Sequence, residues 1–185
     1  VAQARGVPVV VSPHGTLTYA TGRPRIKRAW DRLFPGLLRR FDRVIALTED
    51  EAQEARDLWA AHGVLLADPA VVPNGIHLED LAHLPDPAAF RARWNLGAGP
   101  IGLFLGRLHE RKGLQFLIPA FAQVAGEIPG ARLVLAGPDE GMRAALEAQI
   151  AQLGLADRVI FTGMLMGEDK LAALAAADLF ALPAE

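Results

Sequence analysis

The feature that most constrains the fold of this chain is the alternation of short apolar runs with longer segments of helical periodicity. In the second half, apolar runs occur at 101–105, 132–136, 158–161 and 178–182, with helical patterns between them. This order is typical of β-α repeats on a parallel sheet. Two earlier strands are predicted at 7–12 and 43–48. The sequence therefore predicts an α/β protein.

Helix boundaries follow from capping residues. Thr48 and Glu51 form a capping box, which predicts a helix that starts there and runs to about His62, where Gly63 ends it. The last helix is alanine-rich, with Leu171 and Leu174 on one face. Three helices are predicted in the second half, at 113–126, 140–153 and 168–176.

The segment between the halves is rich in chain breakers. Four prolines lie between Pro73 and Pro100, together with the turn dipeptide Asn74-Gly75. Such a density suggests a crossing between domains. We predict a first domain over 1–82, an inter-domain linker over 83–99 and a second domain over 100–185.

Composition excludes several classes of function. The chain has no cysteine, so disulfides and thiolate chemistry are excluded, and a metal site would need His and carboxylates alone. A formal net charge of −2 argues against a nucleic-acid-binding protein. No apolar run approaches the roughly 20 residues of a membrane span. We expect a cytoplasmic protein.

The loop after the strand at 101–105 concentrates charge where an open parallel sheet binds ligands. Gly106 ends the strand, Arg107 and Lys112 add positive charge, and Gly113 opens the next helix. A helix N-terminus flanked by Arg and Lys suits a phosphate. The alternative is an ordinary solvated loop. Neither G-x-x-x-x-G-K-[ST] nor G-x-G-x-x-G occurs here, so P-loop hydrolysis and dinucleotide oxidoreduction lose their usual support.

Several stretches in this order resemble one family. They are "SPHGTL", "RVIALTEDEAQEAR", "VVPNGIHLEDL", "LFLGRLHERKGLQFLIPAFAQV", "ARLVLAGPDEG" and "RVIFTGMLMGEDKLAALAAADLFALP". Together they resemble the retaining glycosyltransferases of group 1, family four. The resemblance implies the GT-B fold, in which two Rossmann-like domains with parallel sheets face each other across a cleft. Residues 1–82 would be the C-terminal part of the acceptor-side domain, and 100–185 most of the nucleotide-sugar-binding domain.

The resemblance also implies roles for particular residues of the second domain. Arg107 and Lys112 would bind the diphosphate of a UDP-, GDP- or ADP-linked sugar, and Gly106 would make room for it. The donor is a substrate, so no cofactor and no metal are implied. Gly137 and the loop "GPDEG", residues 137–141, would line the nucleotide pocket. The turn "TGMLM" matches the place where the family contacts the base, so Met164 and Leu165 are candidates for apolar contact with it; the alternative is ordinary packing.

In the first domain, His14 is the candidate catalytic residue. A lone His is usually structural, but His14 in "SPHG" matches the family's His that faces the cleft beside the transferred sugar. Gly15 would permit close approach. The predicted catalytic set is thus His14, Arg107 and Lys112.

The family pattern is expected to be incomplete at both ends. The resemblance implies two glutamates separated by seven residues after the strand at 178–182, and Glu185 is the first of them only if the loop after Pro183 is short. The first strands of the acceptor-side domain are also not matched. We therefore expect this piece alone to be inactive.

Residues 23–43 form a basic segment with an apolar stripe, and Pro35 should kink or split it. One interpretation is an interfacial helix in peripheral contact with anionic lipid at the inner face of a membrane, which would suit a lipid-linked acceptor. The other is a helix that packs its stripe on the first domain and solvates its arginines. Trp and Phe at core spacing favour the second.

The expected function is transfer of a sugar, with retention and without a metal, from a nucleotide-sugar to a glycan or lipid-linked acceptor. No nucleic-acid partner is expected. Two alternatives stay open from the sequence. A GT-B nucleotide-sugar epimerase would share the fold but use no acceptor, and a non-catalytic nucleotide-sugar-binding module would keep Arg107 and Lys112 without turnover.

Overall fold

The computed structural model describes residues 5–17, 24–33 and 36–184, so Pro35 and Glu185 lie outside the described residues. The chain divides into two compact units, Val1–Ile76 and His77–Glu185. Each unit is an α/β arrangement around a parallel sheet, as the sequence predicts. The division falls inside the proline- and glycine-rich segment.

The described residues of the first unit form three short parallel strands in the order β1-β2-β3. They are β1 (Val10–Val11), β2 (Arg43–Ala46) and β3 (Ala70–Val71). Val11 pairs with Val44, and Ile45 pairs with Ala70. The sequence did not predict β3, because two residues ahead of Pro73 give no recognisable alternation.

Two helices accompany this sheet, α1 (Pro24–Leu33) and α2 (Glu49–Ala61). The predicted cap of α2 is confirmed, since Thr48 Oγ1 accepts the Glu51 backbone N–H at 3.2 Å. Three acidic residues in the first turn of α2 suit the positive end of the helix dipole. Trp59 is buried in the core of this unit, together with Val44 and Ala55.

The second unit has a four-stranded parallel sheet in the order β6-β5-β4-β7. The strands are β4 (Ile101–Leu105), β5 (Arg132–Ala136), β6 (Val159–Gly163) and β7 (Leu179–Phe180). For β4 and β5 the predicted bounds are confirmed. The helices are α3 (Pro87–Arg93), α4 (Leu114–Glu127), α5 (Arg143–Gln152) and α6 (Gly167–Ala176).

This sheet is buried on both faces. Along β4 and β5, Phe104 and Leu135 pack into a cluster with residues of α4 and α5, whereas Leu103 and Val134 pack into a second cluster with residues of α3 and α6. Successive side chains of a strand point to opposite faces, so near-continuous apolar runs require helices on both sides. The carboxyl edge of the sheet is thereby held in place from two faces.

Helix α3 lies within 83–99, the segment that the sequence predicts to be a linker. Asp86 caps it by accepting the Ala88 N–H at 2.9 Å, and Pro87 stands at its first position. A proline is favoured there because its missing N–H has no partner in a helix anyway. The buried Phe90 joins the cluster shared with α6. The prolines of this segment therefore start a helix of the second unit.

The face that α6 buries differs from the leucine face predicted for it. Ala172, Ala173 and Ala176 are buried, while Leu174 is exposed. Small side chains allow α3 and α6 to approach each other closely, so alanine rather than leucine occupies the contact. The helix itself is confirmed.

Candidate functional site

Three loops meet at the carboxyl edge of the second sheet, after β4, β5 and β6. Backbone hydrogen bonds join them: the Gly106 N–H donates to the Ala136 carbonyl, the Leu108 N–H to the Pro138 carbonyl and the Gly137 N–H to the Gly163 carbonyl, each at 2.8 Å. In open parallel sheets, ligands bind beyond this edge. The structure thus connects the loops that hold most of the predicted binding residues.

Gly106 and Gly137 are in direct contact at this edge. Gly137 has φ +151, and a Cβ atom on it would collide with the Gly106 carbonyl oxygen. A glycine at position 137 is therefore required for the two loops to lie this close.

Arg107 points across the site to the loop after β5. Its Nη1 lies 3.0 Å from Glu140 Oε1 and 3.2 Å from Oε2, and its side chain is 63% exposed. The guanidinium is thus oriented by a carboxylate 33 residues away while most of its surface faces solvent. The loop 137–141 was predicted to line the nucleotide pocket, but the pairing of Glu140 with Arg107 was not predicted, since nothing local links the two residues.

Lys112 stands at the start of α4. It ends a 3-10 turn over Glu110–Lys112, and Gly113 follows with φ +68. A Cβ at position 113 would collide with the Pro183 carbonyl oxygen, so the chain after β7 passes close to this turn. Lys112 is half-buried, and within the described ranges no hydrogen bond or ion pair engages its ammonium group. It adds a cation beside the positive end of α4.

Asp139 closes the turn that leads into α5. Its Oδ1 accepts backbone N–H groups from Gly141 at 2.9 Å and from Met142 and Arg143 at 3.0 Å. The Arg143 N–H bond above all, with those from Gly141 and Met142, holds the pKa of this carboxyl below its ordinary value near 3.8. Among described residues, no three His, Asp or Glu side chains are grouped as metal ligands.

The predicted base-contacting residues follow β6. Met164 is exposed, whereas Leu165 packs against the cluster between the sheet and α6. Both lie at the same edge as Gly137, because Gly137 N–H bonds to Gly163. Contact with a base stays a prediction for both residues, and Met164 is the more accessible of the two.

His14 and Gly15 form a tight turn after β1 in the first unit. Both have positive φ, +51 and +72, and the Thr16 N–H donates to the Pro13 carbonyl at 3.2 Å. His14 is exposed. A non-glycine residue in the left-handed region is uncommon and is found mainly where the surroundings hold it there. The turn therefore presents the His14 side chain to solvent from a constrained backbone.

The basic segment 23–43 is divided in the structure. Helix α1 ends at Leu33, and a separate 3-10 turn covers Leu38–Arg40. Ile26 and Leu33 are exposed, whereas Leu38 packs against the core around Trp59. The exposed apolar residues of α1 fit the interpretation with lipid contact, and the packed Leu38 fits the interpretation in which the segment packs on the first domain. In the described part of the chain, no helix has the length and apolarity to cross a bilayer.

Two family models match this chain. The description "Glycosyltransferase Family 4" belongs to the model that matches residues 1–80, and "Glycosyl transferases group 1" to the one that matches residues 99–185. Together they cover the chain except for 81–98, the stretch that contains α3. Two solved glycosyltransferases of the GT-B fold also superpose on this chain, each with a TM-score of 0.67, at 22% and 12% identity, which shows a shared fold.

Curated relatives extend the comparison. The chain is 30% identical over 171 residues to the phosphatidyl-myo-inositol mannosyltransferase of Propionibacterium freudenreichii, covering 91% of this chain and 39% of that protein. It is 32% identical over 194 residues to the D-inositol 3-phosphate glycosyltransferase of Mycobacteroides abscessus, covering 96% and 41%. The chain thus spans about two fifths of each relative.

Among solved structures, Anabaena HepE in complex with UDP superposes with a TM-score of 0.77 at 25% identity, over 99% of this chain and 48% of that one. Sucrose-phosphate synthase from Thermosynechococcus elongatus superposes with a TM-score of 0.70 at 25% identity, over 98% and 46%. The order of strands and helices described above is therefore shared with both proteins.

Proposed function

This chain belongs to the group 1 glycosyltransferases of family 4, and we propose that it binds a nucleotide-sugar and transfers the sugar to a glycan or lipid-linked acceptor. The observation that carries the proposal is the carboxyl edge of the second sheet. There, Arg107 follows β4 with 63% of its side chain exposed, and the half-buried Lys112 stands at the N-terminus of α4. Two cations and a helix N-terminus suit a diphosphate.

The chemistry of transfer gives these cations a role beyond binding. When the bond between the anomeric carbon and the β-phosphate oxygen breaks, negative charge develops on the departing diphosphate. Arg107 and Lys112 would stabilise that charge more strongly than the charge of the bound donor. We propose on this ground a reaction that needs no divalent metal. Retention of configuration is proposed from the motifs shared with the retaining family.

The remaining predicted residues fit the same reaction. We assign the transferred sugar to the side of His14 and Gly15, and the base to the side of Met164 and Leu165. A glycine with φ +72 after His14 is consistent with close approach of a ligand to the backbone. None of these contacts is required for binding of the diphosphate, so the contacts with the sugar and the base can be tested separately from diphosphate binding.

The relatives support the choice of partners. Their names specify phosphatidyl-myo-inositol and D-inositol 3-phosphate, and the solved structure of HepE holds UDP. We propose a UDP-, GDP- or ADP-linked donor and an acceptor of glycan or lipid-linked type. The epimerase and the binding module have no counterpart among these relatives.

A peripheral membrane contact would suit a lipid-linked acceptor, and α1 offers the surface for it. Ile26 is 48% exposed and Leu33 is 73% exposed, on a helix that also carries Arg25 and Arg28. Apolar side chains beside arginines are typical of helices that lie on anionic lipid. We propose that the protein works in the cytoplasm at the inner face of the membrane.

The test is calorimetric titration with UDP, GDP and ADP at low salt and in EDTA. One of them should bind, and Lys112→Met should weaken that binding about 10- to 150-fold, since a charged hydrogen bond contributes about 1.5–3 kcal/mol. The Tm should change little.

Arg132→Met is the matched control for this variant. It also removes one positive charge, but at the first residue of β5, roughly 13 Å from the carboxyl edge. The control should bind like the wild type. A folded sample that binds none of the three nucleotides, or equal losses in both variants, would contradict the proposal.

A further inference from the structure

Glu51 is the charged side chain that the described residues bury, with 6% of its surface exposed. It lies in the first turn of α2. Its Oε1 accepts the Gly15 N–H at 2.5 Å, and its Oε2 accepts the Leu47 N–H at 2.6 Å. A buried carboxylate is unfavourable unless its oxygens are hydrogen-bonded. Each oxygen of Glu51 therefore accepts one backbone hydrogen bond, which offsets the unfavourable burial of the carboxylate.

The partners of Glu51 differ from those of a simple capping box. In that motif, the glutamate bonds the backbone N–H of the capping residue itself, which here is Thr48. Thr48 does accept the Glu51 N–H at 3.2 Å, but the carboxylate extends past it to Leu47 and to a loop 36 residues earlier. Helix capping explains the first contact. It does not explain the bond to Gly15.

The bond to Gly15 falls in the middle of the turn that carries His14. Residues 14 and 15 both have positive φ, and the turn is otherwise closed by bonds from Thr16, whose Oγ1 donates to the Pro13 carbonyl at 2.6 Å. The Gly15 N–H adjoins the His14 carbonyl in one planar peptide unit. Fixing that N–H therefore fixes ψ of His14, and with it the direction in which the His14 side chain leaves the backbone.

We propose that Glu51 is a positioning residue for His14. It acts through the peptide between His14 and Gly15, while the second oxygen anchors the carboxylate to the end of β2 at Leu47. The carboxyl ends of β1 and β2 are thereby joined by one buried side chain. The inference rests on the proposed function, in which His14 faces the transferred sugar, but the geometry of the turn can be tested without it.

The first test measures amide hydrogen exchange of the whole chain by NMR. Glu51→Gln replaces one acceptor oxygen with an NH₂ group and removes the charge from the other, so the Gly15 N–H faces either a donor or a weaker, neutral acceptor. We expect the Gly15 amide, at neutral pH, to exchange at least about tenfold faster in Glu51→Gln. Thr48→Ala removes the cap of the same helix and should leave Gly15 unchanged. Equal Gly15 exchange in wild type and Glu51→Gln would overturn the proposal.

The second test separates the sugar from the diphosphate. Using whichever nucleotide binds, the Kd of the free diphosphate is compared with that of UDP-glucose, GDP-mannose or ADP-glucose. We expect Glu51→Gln and His14→Ala each to reduce the advantage of the sugar-linked form about 2- to 12-fold, the effect of one hydrogen bond, and to leave diphosphate binding unchanged. The double variant should lose no more than His14→Ala alone, because both changes act through one side chain.

The outcomes distinguish this inference from the proposed function. If no diphosphate binds, the proposed function fails, and the exchange experiment still decides the role of Glu51. A loss in His14→Ala without one in Glu51→Gln would overturn the positioning role. If Glu51→Gln does not fold, Glu51→Asp keeps the charge but is one methylene shorter; it should show the same fast exchange at Gly15, and wild-type exchange there would overturn the proposal.

Discussion

Replacing Glu140 with Gln should strengthen the binding of a nucleoside diphosphate. In the structure, both carboxylate oxygens of Glu140 lie within hydrogen-bonding distance of Arg107 Nη1, at 3.0 and 3.2 Å. If Arg107 binds the diphosphate through this edge of its guanidinium, Glu140 competes with the ligand. The glutamine keeps the size of the side chain and removes its charge.

The expected magnitude has two parts. A solvent-exposed ion pair contributes about 0.2–1 kcal/mol, and this pair is of that kind because Arg107 is 63% exposed. A carboxylate roughly 6 Å from a phosphate adds a repulsion of about 0.7 kcal/mol per unit charge in water, or on the order of 0.5 kcal/mol after salt screening. Together they predict a Kd about 3- to 13-fold lower in Glu140→Gln.

The assay is calorimetric titration of both proteins at two salt concentrations. Glu147→Gln is the matched control, since Glu147 is also ion-paired, to Arg143 at 2.7 Å, and lies on α5, beyond the loop that carries Glu140. It should bind like the wild type. The advantage of Glu140→Gln should shrink as salt rises, because screening weakens both contributions.

A weaker binding in Glu140→Gln would refute this reasoning. It would mean that Glu140 holds the guanidinium in a productive orientation and that the diphosphate uses the other N–H donors of Arg107. Arginine has five such donors, so the two arrangements are both stereochemically available. The sign of the change in Kd therefore decides between competition and orientation.

Two further predictions concern the membrane surface and the loop after β5. The double variant Ile26→Ser/Leu33→Ser should sediment several-fold less with vesicles of anionic phospholipid than the wild type, because it removes the apolar contacts that α1 would make. Leu65→Ser is the control, since Leu65 is 99% exposed and lies outside α1. An equal loss of sedimentation in the double variant and the control would contradict the lipid contact. Asp139→Asn should reduce the change in the free energy of unfolding with pH. Because the pKa of Asp139 is lowered in the folded state, its carboxylate stabilises the fold above a pH of about 3.8, and this stabilisation is lost as the pH falls through the lower folded pKa. In urea unfolding, the free energy of unfolding of the wild type should therefore exceed that of Asp139→Asn at pH 6, and the difference should shrink as the pH falls below about 3.8. A difference that does not vary with pH would contradict this.

Local signals were sufficient for most of the second sheet. Runs such as 101–105 and 133–136 are apolar throughout because their strands are buried on both faces, and such a strand can be predicted without knowledge of its neighbours. The start of α2 was equally predictable, since the bond between Thr48 and Glu51 spans three residues. Short elements such as β3 were missed because two residues carry too little local pattern to predict a strand.

Helix α3 shows where composition was a poor guide. Proline density around Pro85 and Pro87 was interpreted as a linker, although a proline is compatible with the first turn of a helix. What makes this stretch part of the second unit is the burial of Phe90 against α6, some 80 residues away. Bonds from Arg91 to the Ala176 carbonyl and to Asp178 add to that contact. No local pattern contains this information.

The sequence by itself determined the α/β class, the principal strands, the loop that carries Arg107 and Lys112, and the family to which the chain belongs. It did so because periodicity, caps and motif spacing are properties of neighbouring residues. Only the tertiary structure decided that Glu140 pairs with Arg107, that Gly137 meets Gly106, and that Glu51 bonds the turn at Gly15. Each of these contacts joins residues about 30 or more positions apart, and hydrogen bonds or steric fit at that separation exist only once the strands have been ordered side by side.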